Sequence, residues 1–345
     1  MFRAPRALGT HHVRSPRAGG LYGGNRLSIE ARAAAAGGAA LLAALLFTPV
    51  CQRAARARSI LAKPTGRGVH REPIPYLGGL AILGGVVIGA AFCPYSMKLV
   101  GLLLAAVTVT IIGVLDDVRD LSPLVKLLLT MVAAAILIPL DVVVQGINVP
   151  GFGFVYLGPW ARLLTLLWVV FMVHATNFID GMDGEAAGIS AIAAAAFVVL
   201  ALLWLRRPQD PDVVADMSMV AVLSSAVVGA SLGFLRYNFN PARIFMGDAG
   251  ALLLGLLLAG LSIVGLFKTV LLCVAPVIIL GLQVFDTVWA VVRRTAAGQP
   301  AYRPDRGHIH HRLLDAGLTH RQAVLILYAI AAGLAGLAVF VGAPR

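Results

Sequence analysis

The chain has 345 residues, of which 59% are hydrophobic and only 13% charged, and its formal net charge is +12. A soluble domain carries roughly twice that share of charge, so a soluble enzyme or binding module is excluded and a polytopic helical membrane protein is indicated. Nucleic acid is not the expected partner of the positive charge. The basic residues lie in connections between apolar runs, where anionic lipid heads or an anionic substrate account for them.

In chain order, residues 1–32 are rich in Arg, Gly and Pro without periodicity and are expected to form a disordered tail. A cleaved signal peptide is the competing reading of residues 1–50, but the apolar run from Ala33 is longer than a signal core. Residues 33–345 then read as one integral membrane domain. Its apolar runs are Ala33–Val50, Leu77–Cys93, Leu99–Leu115, Val125–Leu140, Ala161–Thr176, Ala186–Leu205, Met217–Leu235, Ala249–Gly265, Thr269–Val291 and Ala323–Gly342. Each approaches the roughly 20 residues that cross a bilayer as a helix, which predicts an all-α bundle of about ten spans. Pro276 should break or kink the ninth. Between the fourth and fifth, Asp141 to Pro159 alternates Val, Gly and aromatic residues and is expected to form a short β-hairpin on the extracytoplasmic surface. Cys51, Cys93 and Cys273 lack metal-ligand spacing and read as small packing residues.

Ten spans divide the connections into two sets. The loops at 51–76, 116–124, 177–185, 236–248 and 292–322, with Lys126 beside the second, hold sixteen Lys and Arg. The other side holds six, so the first set is assigned to the cytoplasm. Both termini then lie outside, against the pull of the tail's own six Arg.

The chain is organised around His174 to Gly188, HATNFIDGMDGEAAG, where two spans meet at the membrane surface. Asp180 and Asp183, at i and i+3, share a face of any helical turn, and acids at this depth need water, a metal or a cation beside them. The other distinctive polar residues fall on the same side. They are Asp116, Asp117 and Lys126; Asn177; Asn238, Asn240, Arg243 and Asp248; and the run YRPDRGHIHHRL from Tyr302 to Leu313. Each acid alone has a plainer reading; Asp248, for example, could simply cap the eighth helix. Solvated loops do not require the whole set on one face, however, so it reads as a site. Oxygen-only donors of this kind suit Mg2+, with Mn2+ as substitute, bound by one or two carboxylates plus substrate phosphates. Acids, amides, Lys and Arg at a bilayer surface suggest a diphosphate substrate whose product stays in lipid. His308, His310 and His311 could suggest zinc instead, but there is no Cys nearby and no HExxH, and neighbouring His310 and His311 should diverge on a helix. Phosphate binding by His and Arg together is the stronger reading.

At PIPYLGGLAI, GVLDDVRDLSPLVK, NFIDGMDGEAAG, NPARIFMGDAG and RPDRGHIHHRLLDAG the chain resembles the polyprenyl-phosphate N-acetylhexosamine-1-phosphate transferases, in order and spacing, from about Thr48 to Val324. The resemblance implies ten or eleven helices, a cytoplasmic active site in the plasma membrane, and Mg2+. It implies transfer of a sugar 1-phosphate from a UDP-sugar to polyprenyl phosphate with release of UMP. GHIHHRLL and KPTGRGVHREPIPYLGG resemble the branch that uses UDP-N-acetylglucosamine and undecaprenyl or decaprenyl phosphate to start envelope polysaccharides. Transfer of phospho-MurNAc-pentapeptide, in the branch with three consecutive His, is the alternative. By position, Asp248 matches the principal Mg2+ ligand, with Asp116 and Asp117 completing the shell, and Asp117 is the candidate base or nucleophile. Asn238 matches a site Asn. Asp180 and Asp183 match positions near the nucleotide, where Asn177 and Phe245 contact the uridine. His308, His310 and His311, with Arg303, Arg306 and Arg312, would hold the diphosphate or sugar, and Lys126 joins the substrate-binding set. His320, outside the motif, is expected to face solvent. The chain departs from the family at Glu185, where Leu is usual, and at Tyr76, where Arg is common. The resemblance leaves room for a homodimer.

An ion-coupled transporter is the competing class, and it predicts acids at mid-span and an internal repeat. Only Asp286, inside the ninth run, fits it. A membrane scaffold would need neither the GDAG nor the HIHH loop.

Overall fold

The structure, a computed structural model, describes residues 27–62, 73–149, 153–207, 210–265, 270–299 and 307–344. The predicted tail as far as Arg26 lies outside the described residues, as do Arg303 and Arg306. The first helix, α1 (Ile29–Ala57), starts earlier than expected, because Ser28 accepts the N–H of Ala31 as an N-cap and draws residues 29–32 into the helix. There follow α2 (Gly78–Ala90), α3 (Met97–Arg119), α4 (Pro123–Ala135), α5 (Trp160–Phe178), α6 (Glu185–Leu205), α7 (Pro211–Asn238), α8 (Gly247–Gly265), α9 (Val270–Ile279), α10 (Gly281–Ala296), α11 (Ile309–Asp315) and α12 (His320–Gly342). Among the described residues, eight helices are long and apolar enough to cross a membrane, counting α4 with the 3-10 turn at Ile138–Leu140. The molecule is a polytopic helical bundle.

Two predicted spans differ. The second is only 13 residues long and is glycine-rich, a composition that lets α2 lie close against α1, α7 and α8. The ninth is two helices: α9 contains Pro276 and ends at Ile279, and α10 restarts at Gly281 after a non-helical Leu280. The second piece is two-sided. Phe285, Val288, Trp289 and Val292 are exposed at i, i+3, i+4 and i+7, whereas Gln283, Asp286, Thr287, Ala290 and Arg294 are buried. An apolar run with one polar inner face is what placed Asp286 inside a predicted span.

α8 and α7 form the centre of the bundle. α8 is buried almost from end to end, and its sequence, GDAGALLLGLLLAGLSIVG, is apolar all round with small residues that admit neighbours closely. α3 and α5 pack on α8, and α1, α2 and α6 pack on α7. The outer helices present Leu42, Leu46, Ile111, Val132, Leu167 and Phe340 outwards, as helices facing lipid do. The expected hairpin is present as β3 (Gly146–Val149) and β4 (Gly153–Tyr156), antiparallel with Gly146 opposite Tyr156. A second small ladder, which composition did not indicate, pairs β1 (Leu61–Ala62) with β2 (Ile74–Pro75).

At the hairpin end of the bundle, Lys98 on α3 donates to both oxygens of Asp216 on α7, at 3.0 and 2.9 Å. Lys98 also lies 3.5 Å from Asp141, and removing it takes a charged donor from the buried Asp216 carboxylate, at a cost of about 1–3 kcal/mol. Lys98→Met should therefore lower the melting temperature of the purified protein clearly, and Lys98→Arg should lower it much less, as measured by thermal unfolding in detergent.

Candidate active site

The C-termini of α3, α5 and α7 meet the N-termini of α4, α6, α8 and α12 at the other end of the bundle, and nearly all the predicted polar residues gather there. Asp116 and Asp117 lie in the last turn of α3, and Lys126 in the first turn of α4, behind Ser122 as N-cap and Pro123 at the first helical position. Lys126 Nζ bonds to Asp116 Oδ2 at 2.9 Å, to Asp248 Oδ2, and to Asn177 Oδ1 at 3.1 Å. Asn177 also donates to Asp248 Oδ1 at 2.7 Å, and Asp116 Oδ1 accepts the N–H of Leu121 at 2.7 Å. Asp117 accepts the N–H groups of Asp248 at 2.8 Å and Ala249 at 3.3 Å, so it caps α8, where the helix dipole favours an anion. Gly247 makes this close approach possible: its φ is +66°, and a Cβ there would collide with the Asp117 carboxylate.

Asp183 and Asn238 join two loops. Asp183 Oδ2 accepts from Asn240 Nδ2 and from the N–H of Ala242, both at 2.9 Å, and its own N–H donates to His320 Nε2 at 2.9 Å. Asn238 accepts the N–H of Gly184 and donates to the carbonyl of Ile244, both at 3.0 Å. Between these loops and the acids lies a cavity of about 520 Å3, lined by Tyr76, Asp117, Asn177, Asp180, Asp183, Asn238, Phe245, Asp248, His311, Asp315 and His320, among others. Asp180 faces it with no hydrogen-bond partner for its carboxylate among the described residues. Burial, and then the charges of Glu185, Asp248, Asp117 and Asp183, push its pKa well above the usual carboxylate range. Tyr76 leans on Phe245 with ring centroids 6.0 Å apart.

The histidines divide. His311 lines the cavity. His308 is turned inwards: Nδ1 is 2.6 Å from Asp286 Oδ2 and Nε2 is 3.2 Å from Arg294. Arg294 can only donate, so Nε2 accepts and the ring proton lies on Nδ1, towards Asp286. His310 is also buried, with Nδ1 3.3 Å from Glu185 Oε1. Its ring lies 4.4 Å from that of His311, so the two neighbours touch and do not diverge. Arg312 is exposed and is not among the residues lining the cavity. His320, expected in solvent, lines the cavity instead, because the first turn of α12 packs onto the loop of Asp183.

Residues 99–266, from α3 through α8, match the model of glycosyl transferase family 4. A Bacillus subtilis protein named probable undecaprenyl-phosphate N-acetylglucosaminyl 1-phosphate transferase is 39% identical over 295 residues, 84% of this chain and 79% of the relative. A Mycobacterium tuberculosis protein named decaprenyl-phosphate N-acetylglucosaminephosphotransferase is 37% identical over 320 residues, with 84% and 77% covered. An Escherichia coli undecaprenyl-phosphate alpha-N-acetylglucosaminyl 1-phosphate transferase is 29% identical over 320 residues, with 87% and 82% covered. The chain belongs to glycosyl transferase family 4.

The region matched by the glycosyl transferase family 4 model carries the acid cluster and stops before the histidine loop. Sequence reasoning missed Arg294, Tyr328 and His320 as parts of this end of the molecule, and it noted Glu185, Asp286 and Tyr76 without partners. Asp286 and Arg294 are eight residues apart on α10, a spacing that returns to one face, which a helical reading of that run could have shown.

The two kinds of polar residue should separate in stability. Asn238→Ala breaks two buried bonds and strands their partners, each at about 1–3 kcal/mol, so the melting temperature should fall by several degrees. Asp180→Asn breaks no bond and relieves crowding of like charges, so it should leave the melting temperature unchanged or raise it. The same thermal unfolding measurement checks both.

Proposed function

We propose that this chain transfers N-acetylglucosamine 1-phosphate from UDP-N-acetylglucosamine to undecaprenyl or decaprenyl phosphate, on the cytoplasmic face of the plasma membrane, releasing UMP and starting an envelope polysaccharide. The names of its relatives support this chemistry. The observation that carries the reading is the cavity wall. It holds Asp117, Asp180, Asp183, Asp248 and Asp315, and neither Lys nor Arg among its described residues. An anionic diphosphate can enter such a cavity only together with a cation.

The donor set fits Mg2+. Asp116, Asp117 and Asp248 offer carboxylate oxygens, and the Lys126 ammonium lodged between Asp116 and Asp248 marks where positive charge is most favoured. Asp248 and Asp116, with Asp117, would hold the ion. When bound, it supplies neutralisation of the phosphate charges on donor and acceptor. Lys126 and Asn177 hold Asp248 in place before substrate arrives. Phe245 and Tyr76 offer aromatic surface to the uracil, and Asp180 faces the donor from the cavity wall. His311 offers a donor to the phosphates.

Direct attack is the favoured route. A phosphate monoester has its second pKa near ~6, so at neutral pH polyprenyl phosphate is mostly a dianion and needs no base. Its oxygen forms a bond to the β-phosphorus as the bond between that phosphorus and the bridging oxygen breaks, and UMP departs with the electron pair. A phospho-Asp117 route is less favoured, because both oxygens of that side chain already hold the first N–H groups of α8.

Purified enzyme given labelled UDP-N-acetylglucosamine and undecaprenyl phosphate should yield lipid-linked sugar and UMP. Release of UDP would mean cleavage at the sugar and would overturn the reading. Chelation should stop turnover and Mg2+ should restore it. Asp248→Asn should reduce turnover by about 10³-fold or more in a protein that still melts cooperatively.

For topology, with the native cysteines replaced, Arg119→Cys should resist a membrane-impermeant thiol reagent in intact cells and Asp212→Cys should react. Reaction of the cysteine at position 119 from outside would reverse the orientation.

A further inference from the structure

The Glu185–His310 pair is not used by the chemistry above. Glu185 opens α6 and is 2% exposed; His310 is 3% exposed. Apart from its Oε1 contact to His310, the carboxylate has no partner among the described residues, and its buried Oε2 makes no hydrogen bond. A carboxylate so placed is costly unless a cation stands beside it, and His310 is the group in position to be that cation.

His310 is itself held firmly. Gly181 lies against its ring so closely that a Cβ there would overlap it. The His308 ring stacks on its far side, with centroids 5.7 Å apart and planes at 7°. Tyr328 of α12 donates to the Gly184 carbonyl at 2.5 Å, which steadies the turn before Glu185. Among the described residues, the ionisable groups around His310 are Glu185 from α6, Asp180 from the preceding turn, His308 stacked on it, Asp286 and Arg294 from α10 beyond His308, and His311 on its own helix. Arg294 is occupied by His308. Burial by itself disfavours the imidazolium, but the Glu185 carboxylate outweighs it, Asp286 adds to it, and together they hold His310 above the usual imidazole range.

We propose that Glu185 is a positioning residue for the transfer reaction: it keeps His310 cationic and fixed behind His311, so that a buried positive charge backs the cavity wall where the donor phosphates bind. The proposal rests on the transferase reading. His311 lies between this charge and the cavity, with its ring 4.4 Å from that of His310. Behind one ring, in a site shielded from water, a charge acts on an anion in the cavity more strongly than it would at an open surface.

The test uses the full-length protein in detergent and Glu185→Gln, which keeps shape and removes charge. NMR of histidine-labelled protein, with the His310 signal assigned from His310→Gln, should give a wild-type titration midpoint above the ordinary value of about 6.5 and one lower by about one pH unit or more in E185Q. A wild-type midpoint at or below the ordinary value overturns the proposal without any variant, even if E185Q does not fold. In the transfer assay at a pH midway between the two measured midpoints, E185Q should raise the KM for UDP-N-acetylglucosamine by about threefold or more with little change in kcat, and the gap should narrow at pH values well below the lower midpoint. An E185Q enzyme with wild-type KM and pH profile, or one slowed equally at every pH, overturns the proposal and leaves the transferase reading intact. A wild type that releases no UMP overturns that reading, and the role of Glu185 falls with it.

Discussion

Carboxylates crowded at one end of an apolar bundle repel each other and resist burial, and the structure answers most of them with a nearby donor. Lys126 stands between Asp116 and Asp248, and the N-terminus of α8 takes Asp117. Main-chain and amide donors of the 240–242 loop take Asp183. These compensations come from helix ends, which explains why the site lies where so many helices terminate. A helix terminus has unpaired N–H groups or carbonyls and a partial charge, and it can meet an acid at a depth where water is scarce.

The same contacts make the site rigid. Asn238 and Asp183 bind the 180–184 turn to the 240–246 loop, and Phe245 and Met246 are bonded through their main chains to Pro75, Gly78 and Gly79. Three separated stretches of chain therefore form one wall. A transfer between two anions depends on fixing them against their repulsion, and a wall that does not yield supplies that fixing before substrate arrives. Several residues implied as ligands thus serve first as joints: Asp183 and Asn238 are nearly used up by the loops they connect, whereas Asp180 remains open to the cavity.

How much of this the sequence disclosed follows from the range of each signal. Apolar runs, loop charge and the order of acidic motifs are local, so the bundle, the hairpin and the convergence of Asp116, Asp117, Asn177 and Asp248 were legible. Pairings across helices were not. Glu185 was an isolated oddity until His310 came beside it, and Asp286 looked like a mid-span acid until α10 proved to be broken from α9 and turned its polar side to His308. His320 shows the same limit. Its position at the start of α12 was readable, but the packing of that turn onto Asp183 depends on contacts more than a hundred residues away in the chain.

The three histidines show how one short motif can serve different surroundings. His308 lies between a donor that cannot accept and a carboxylate, with its acceptor towards Arg294. His310, whose Nδ1 meets the Glu185 carboxylate, is held above the usual imidazole range. Stacked on one another, they place one ring against Asp286 of α10 and the other beside His311 at the cavity. That order sets an imidazole, His311, in the lining of the same cavity as Asp117, Asp180 and Asp248. A diphosphate lying between them would meet carboxylates on one side and an imidazole on the other. The spacing of the motif matters for this reason: shifting His310 by one residue would take its ring away from Glu185, and the imidazole side of the cavity would lose its anchor.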